Sequence, residues 1–523
     1  MNDQPASNGQ HPRESRRRFL RRQVEAIRDV AETSVVEVVV KVRSPQNDDA
    51  LLATVAEALR RRGLSSSSRD LLPVERDRLE RGASSKSVER GVKAFDQSLV
   101  AQMVTADNAP QQALQASGQR VLDQWLTSTS VKASLAAADS MPARDKPEPA
   151  VRQSFWTSSS AVIQVIGDDL PKLIDSPNVE GIYLNQRMFV PPVVKPKSIP
   201  GPIEENKVSA WGLRAIGALS TWGAFDARGA GVLVGLLDTG VDADHPDLKG
   251  KVAEWAEFDS AGGTVAGSQP HDSDRHGTHC AGTIVGGNAS GRWIGVAPEA
   301  KIAAGLVLNG AQGGTHAQIL AGIEWAINLG VDVISMSLGG LSMSPEVPST
   351  YTEAMMTALK MGIPVVTAIG NEGSQTTGAP ANDFLAFAVG ATDYLDRAAG
   401  FSGGRTQVIR ESAYFPQDAL PLVYSKPELS APGVAICSSV PGGGWENFNG
   451  TSMAAPHVAG AIALLLSGTK IKAEVPARQR AFVIQDLLTG AAEELGESGQ
   501  NHRFGFGRLD VLRAMGYARD LNY

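Results

Sequence analysis

The sequence predicts an α/β chain: a three-layer parallel sheet with helices on both faces, preceded by an N-terminal α+β domain that carries a helical insertion. Three observations predict it. In residues 205–523 the runs GVLVGLLD, AKIAAGLVL, VDVISMSLGG, IPVVTAIGN and LAFAVGAT are short, apolar throughout and end in glycine or polar residues. Helical stretches such as THAQILAGIEWAINLG and YTEAMMTALKMG lie between them, and fully apolar strands alternating with helices mark a parallel sheet covered on both sides. Residues 1–200 have a different rhythm, and the Pro-rich VPPVVKPKSIPGP at 190–202 separates the two halves as an extended linker.

In chain order, residues 1–33 read as a basic arm, flexible or helical. VVEVVVKV at 35–42 reads as a strand and DDALLATVAEALRRRGL at 48–64 as a helix with a glycine stop. Ser-, Ala- and charge-rich stretches over about 65–150 suggest two or three exposed helices with loose linkers. SSAVIQVIG, DLPKLIDS and NVEGIYLN then read as strand, short helix, strand. The expected organisation is an arm at 1–33, a domain at 34–190 with its insertion at 65–150, a linker at 191–204, and the large α/β domain at 205–523.

Bulk composition narrows the function classes. The chain is 42% hydrophobic and 20% charged, enough apolar material for a sizeable core. A net charge of -7 over 523 residues argues against a nucleic-acid platform. The two cysteines, Cys280 and Cys437, cannot make a disulfide framework. SRRRFLR at 15–21 resembles a twin-arginine signal, but RQVEAIRDV follows instead of an apolar h-region. Cytoplasmic residence is the expectation, with no membrane span.

Three segments carry chemistry. Asp238 ends the buried run GVLVGLLD; by itself it reads equally as an Asx turn. In DRHGTHCAG, His276, His279 and Cys280 could bind zinc, but the spacing is not that of H-E-x-x-H and no second cysteine pair completes a site. NGTSMAAPHVAGAIALLL places Ser452 where an apolar helix begins. Thr451 or Ser452 could be a plain N-cap; the helix start would also aim N–H groups and positive dipole at the serine. Pro456 is tolerated if it sits in the first turn. A strand-end carboxylate, a histidine and a helix-start serine are the parts of an activated hydroxyl.

These three segments, in this order, resemble the signatures of the subtilisin-like serine proteases (subtilases, peptidase S8), and HGTHCAG is similar to the proteinase K branch. The resemblance runs from about Trp211 to GFGRLDVLRAM at 505–515. It implies a serine endopeptidase with Asp238, His276 and Ser452 as triad. Asn371, otherwise an Asn in a Gly-flanked turn, would join the Ser452 N–H in the oxyanion hole. Ser337, Leu338 and Gly339 would pair with substrate backbone, Ala368, Ile369 and Gly370 would wall the main pocket, and Gly378 would lie in its floor. No acid stands at these positions, so large apolar side chains are expected before the cleaved bond. No cofactor is implied for the chemistry; Asp247 in HPDLKG matches a calcium ligand, which leaves a structural calcium open. His279 has no catalytic role in the pattern.

The same resemblance casts the first half as a propeptide. Partners are then a protein or peptide substrate and the chain's own N-terminal domain as intramolecular inhibitor, with self-cleavage near residues 189–200. A regulatory protein-binding module whose protease half is silent, or fires only on partner recognition, is the alternative. GFSGGRTQVIRESAYFPQDALPLVYSKPELSAPGV is longer than the usual link between FS and APG and is expected to add an exposed loop.

Overall fold

Strands form where valine and isoleucine alternate or run together, and glycines let them close on their neighbours. The computed structural model describes residues 12–30, 35–43, 93–94, 97–105, 109–139, 151–176, 178–190, 208–341, 347, 349–410, 412, 414–415 and 420–523. The helix expected at 48–64 lies outside them. The chain divides into two units, Met1–Asp48 with Pro110–Gln186, and Asp49–Ala109 with Arg187–Tyr523.

The first unit is built on Val35–Val42 (β1), Val151–Phe155 (β2), Ser160–Ile166 (β3) and Val179–Leu184 (β4). They make an antiparallel sheet in the order β2-β3-β1-β4. Val36, Val38 and Val40 of β1 enter one core with Ile163, Leu170 and Ile182. Leu122 and Trp125 of the helix Gln111–Leu126 enter the same core, as does Val131 of Thr129–Asp139. Of the two forms open to the N-terminal arm, residues 12–30 take the helical one: Pro12–Val30 is a helix, and one face of it is packed. Leu20, Val24 and Ile27, spaced i, i+4, i+7, are buried while Arg17, Arg18, Arg21 and Arg22 face water. The dense arginines hid that stripe.

In the second unit Leu233–Asp238 (β5), Val252–Glu257 (β6), Lys301–Leu306 (β7), Val333–Met336 (β8), Val365–Ala368 (β9), Phe387–Thr392 (β10) and Leu429–Pro432 (β11) form one sheet. Its order is β11-β10-β9-β8-β5-β7-β6, and every pairing is parallel. From β5 the chain goes to the edge strand β6, returns to β7 between them, then crosses to β8 on the other side of β5. The strand order therefore reverses beside β5, where parallel sheets open a crevice at their carboxyl ends. Thr451–Gly468 is the central helix. It is long and apolar enough to cross a bilayer, but 89% of that window is buried inside the protein.

Pro456 lies inside this helix, in its second turn, and not in the first turn as expected. Proline has no N–H to give the carbonyl four residues back, which here is Ser452 O. That oxygen instead accepts from Ser337 Oγ at 2.9 Å and from Cys280 Sγ at 3.4 Å. The backbone at Ser452 is thus tied to β8's end and to the helix His276–Val285.

Among its described residues, the long link after FS is built mainly of paired strands and is not an exposed loop. Arg405–Ile409 and Leu422–Lys426 form an antiparallel hairpin, with Gln407, Tyr424 and Lys426 buried. Lys93–Ala94 adds to it in parallel beside Leu422–Val423. The helix Gln97–Thr105 packs on the helices Thr352–Lys360 and Ala477–Gly490, and Arg478 donates to Val104 O and Ala109 O. This part of the 65–150 stretch belongs to the large unit.

Glycine is required where β5's end meets the His276 helix. Gly240 has φ +107°, and a Cβ on Gly277 would stand 2.0 Å from Gly240 O. Gly277→Ala is expected to destabilise the protein by about 1–3 kcal/mol through overpacking, read as a lowered Tm in a Ser452→Ala background that cannot digest itself.

Candidate active site

Asp238 is the last residue of β5 and wholly buried. Its Oδ1 accepts from Thr239 N at 2.7 Å and from His276 Nδ1–H at 2.7 Å. With the Nδ1 proton committed, Nε2 of His276 carries the lone pair and, though buried, has no hydrogen bond among the described residues that would block it as a base. Thr239 fixes the approach: its hydroxyl donates to Asp272 at 2.7 Å and accepts from Gly277 N at 2.9 Å. Burial by itself would lower the pKa of His276; the Asp238 carboxylate outweighs it and holds the ring well above the ordinary histidine value.

Ser452 is the second residue of its helix and buried. Its Oγ lies 3.4 Å from Ser337 O, and His276 Nε2 has no hydrogen-bond partner among the described residues. The Asp–His half of the expected line is formed and the His–Ser half is open. Asn371 reaches the same helix start. Its Oδ1 accepts from Thr451 N at 2.9 Å and Thr451 Oγ1 at 3.0 Å, which turns the amide end away from Thr451. Thr451 also accepts from Gly370 N at 3.2 Å. Sequence reasoning weighed Thr451 only as an N-cap and missed this orienting role; its one signal was its place between Gly450 and the serine.

The three donor atoms of Asp238, His276 and Cys280 lie within 4.8 Å of one another. Burial pushes the Cys280 thiol's pKa up, so it is a protonated neighbour, and the zinc alternative fails on His279. That ring donates Nε2–H to Ile436 O at 3.0 Å and Glu446 O at 3.1 Å and stacks on Phe448 at 4.2 Å. Burial lowers its pKa to about 3. It is a neutral packing group.

The predicted pocket residues come together. Gly378 N donates to Ile369 O at 3.3 Å, and Gly378–Ala379 pairs with Gly340–Leu341. One carboxylate does reach this neighbourhood: Glu372 Oε2 is 2.6 Å from where a Cβ on Gly370 would stand. Gly339 follows β8 through Ser337 and Leu338. It exchanges two backbone hydrogen bonds, of 3.1 and 3.0 Å, with Phe189. On the other side Arg187–Met188 pairs with Gly314–Thr315. An extended segment of this chain thus lies between two strand edges.

Asp247 does not fit a cation. Its Oδ1 accepts from Ala289 N at 2.6 Å and its Oδ2 from Trp445 Nε1 at 2.7 Å. Both oxygens thus already accept an N–H donor, and among the described residues Asp247 joins no cluster of three or more ligand-type side chains that would supply the converging oxygens of a calcium cage.

A buried carboxylate–imidazole pair at a strand end, a serine at a helix start and an amide beside it define a hydrolase of the serine-nucleophile class. A profile of the subtilase family of peptidase S8 matches residues 229–507, which contain all four residues. Subtilisin DY of Bacillus licheniformis is 38% identical over 292 residues, covering 55% of this chain and 92% of its own. Subtilisin of Bacillus pumilus is 37% identical over 291 residues, 55% and 91% of the two chains. The major intracellular serine protease of Bacillus subtilis (strain 168) is 37% identical over 263 residues, 49% and 74%. The chain belongs to the subtilase family and is a serine endopeptidase.

Trp445→Phe leaves a buried carboxylate oxygen of Asp247 without its donor. It is expected to cost about 1–3 kcal/mol in thermal unfolding of the Ser452→Ala protein, and added calcium is expected not to restore the loss.

Proposed function

We propose that the chain hydrolyses peptide bonds through Asp238, His276 and Ser452, and that it is made as a self-inhibited precursor. The observation that carries the chemistry is the buried 2.7 Å Asp238–His276 hydrogen bond, with the Ser452 helix start held beside it. Serine hydroxyls are weak nucleophiles at neutral pH. His276 Nε2 takes the Ser452 proton as Oγ attacks the substrate carbonyl, and later returns it to the leaving amine. Asp238 keeps the tautomer and stabilises the imidazolium. The Asn371 amide and the Ser452 N–H stabilise the negative oxygen that forms. Water then cleaves the acyl-enzyme by the same steps. No cofactor takes part.

The self-inhibited form is supported by Arg187–Phe189, which pairs as a substrate strand would between Gly314–Thr315 and Gly339. Release by cutting within residues 189–200 frees those edges. A preference for large apolar residues before the cleaved bond rests on Gly378 in the pocket floor.

Ser452→Ala is expected to lose about 10⁶-fold in turnover, as measured in subtilisin. Asn371→Ala is expected to lose about 2.7–4 kcal/mol of transition-state stabilisation, also the subtilisin value, and to stay measurable; equal residual rates would refute the roles. Because a raised His276 pKa keeps the base protonated at lower pH, kcat/KM is expected to climb through a value well above 6.5. Asp238→Asn should shift that limb downward while lowering kcat by about 10⁴. N-terminal sequencing of wild type against Ser452→Ala tests processing: an intact, fully active wild-type chain overturns it.

A further inference from the structure

The hairpin that replaces the usual FS-to-APG link is built onto the pocket. Gln407 and Tyr424 are cross-strand partners in it. The Gln407 amide, buried, donates to the buried Thr377 hydroxyl. Tyr424 donates its hydroxyl to Asn382 O at 2.5 Å. Thr377 immediately precedes Gly378, and Asn382 N closes back on Gly378 O at 2.9 Å. The two side chains therefore grip both ends of the segment Thr377–Asn382, which contains the pocket floor. The segment just before the hairpin is tied to the same region by backbone: Gly403 N donates to Gly370 O at 2.9 Å and Gly404 N to Thr376 O at 2.8 Å. Gly403 sits so close that an added Cβ would be 3.1 Å from both Ile369 O and Thr376 O. Wall and floor of the pocket are thus both tied to the residues that lead into the hairpin.

We propose that Gln407 and Tyr424 are positioning residues that set the depth and width of the pocket, making the hairpin Arg405–Lys426 a determinant of which side chain is accepted before the cleaved bond. The physical reason is leverage. The floor segment is held in its middle by backbone pairing with Gly340–Leu341 and by Ala381 packing on Ile369 and Ala388, and the two hairpin side chains add a hold at each end, so losing one lets that end shift. A buried hydroxyl or carbonyl that loses its partner moves to find another, and a shift of a few tenths of an ångström in a pocket wall alters the fit of a large side chain more than that of a small one. The inference rests on assigning Gly378 to the pocket floor.

The test measures kcat and KM separately on peptides differing only in Phe, Leu or Ala before the cleaved bond. It uses the active species recovered from the full chain, its concentration set by fluorophosphonate labelling. Gln407→Met keeps the shape and removes the amide; Tyr424→Phe removes only a hydroxyl and decides the matter if the first variant does not fold. Each is expected to lower the Phe-to-Ala ratio of kcat/KM by about fivefold or more, mainly through KM. Thr377→Val in the Gln407→Met background, which leaves neither partner unsatisfied, is expected to recover part of the ratio. An unchanged ratio, with all three peptides slowed alike or with Tm alone lowered, overturns the proposal. Gly378→Ala, whose methyl would stand 3.0 Å from Gly340 O, separates the two levels. If it leaves the ratio untouched, the floor assignment fails; if it shifts the ratio and the hairpin variants do not, the hairpin inference fails.

Discussion

A carboxylate removed from water has to be compensated at once, and Asp238 is compensated by a neighbouring amide and by His276. Much of the surrounding structure serves that requirement. The turn after β5 approaches the His276 helix so closely that Gly277 has no room for a side chain, and His271 O closes off Gly240 in the same turn. Thr239, Asp272 and Thr278 form a hydrogen-bonded brace around the contact. The imidazole is held in one tautomer by the same bond that settles the carboxylate, so folding and the orientation of the base are one event.

The serine is held by a different logic. Pro456 takes away a helix hydrogen bond, and the carbonyl it orphans belongs to Ser452 itself. Ser337 and Cys280 fill that role, which fastens the nucleophile's backbone to two other elements while leaving its hydroxyl only a 3.4 Å contact. A firm backbone with a loosely held hydroxyl suits a group that must swing between a resting acceptor and a base.

The sheet was legible because strands buried on both faces read as unbroken apolar runs. Those for β5, β7, β8, β9 and β10 stand in the sequence as such. β6 did not, since KVAEWAE is an edge strand with charges on its open side, and LSAP in β11 is too short and too mixed to signal. Asp238, His276, Asn371 and Ser452 could be singled out because chemistry-bearing residues stood at strand and helix ends in a familiar order. Thr451's bond to Asn371 and the hairpin's hold on Thr377 could not. Both join residues about 80 and 30 positions apart, and no local pattern encodes such a meeting. The stripe Leu20, Val24, Ile27 was overlooked because arginine density outweighed periodicity.

The helix Gln97–Thr105 and the strand Lys93–Ala94 lie within the large unit, although the chain returns to the small unit at Pro110 before coming back at Arg187. Scission anywhere between residues 110 and 207 would convert that internal packing into a bimolecular equilibrium. Val100, Met103 and Val104, all buried, together with the Arg478 guanidinium would then hold a separate polypeptide, and its retention would depend on dilution instead of on connectivity.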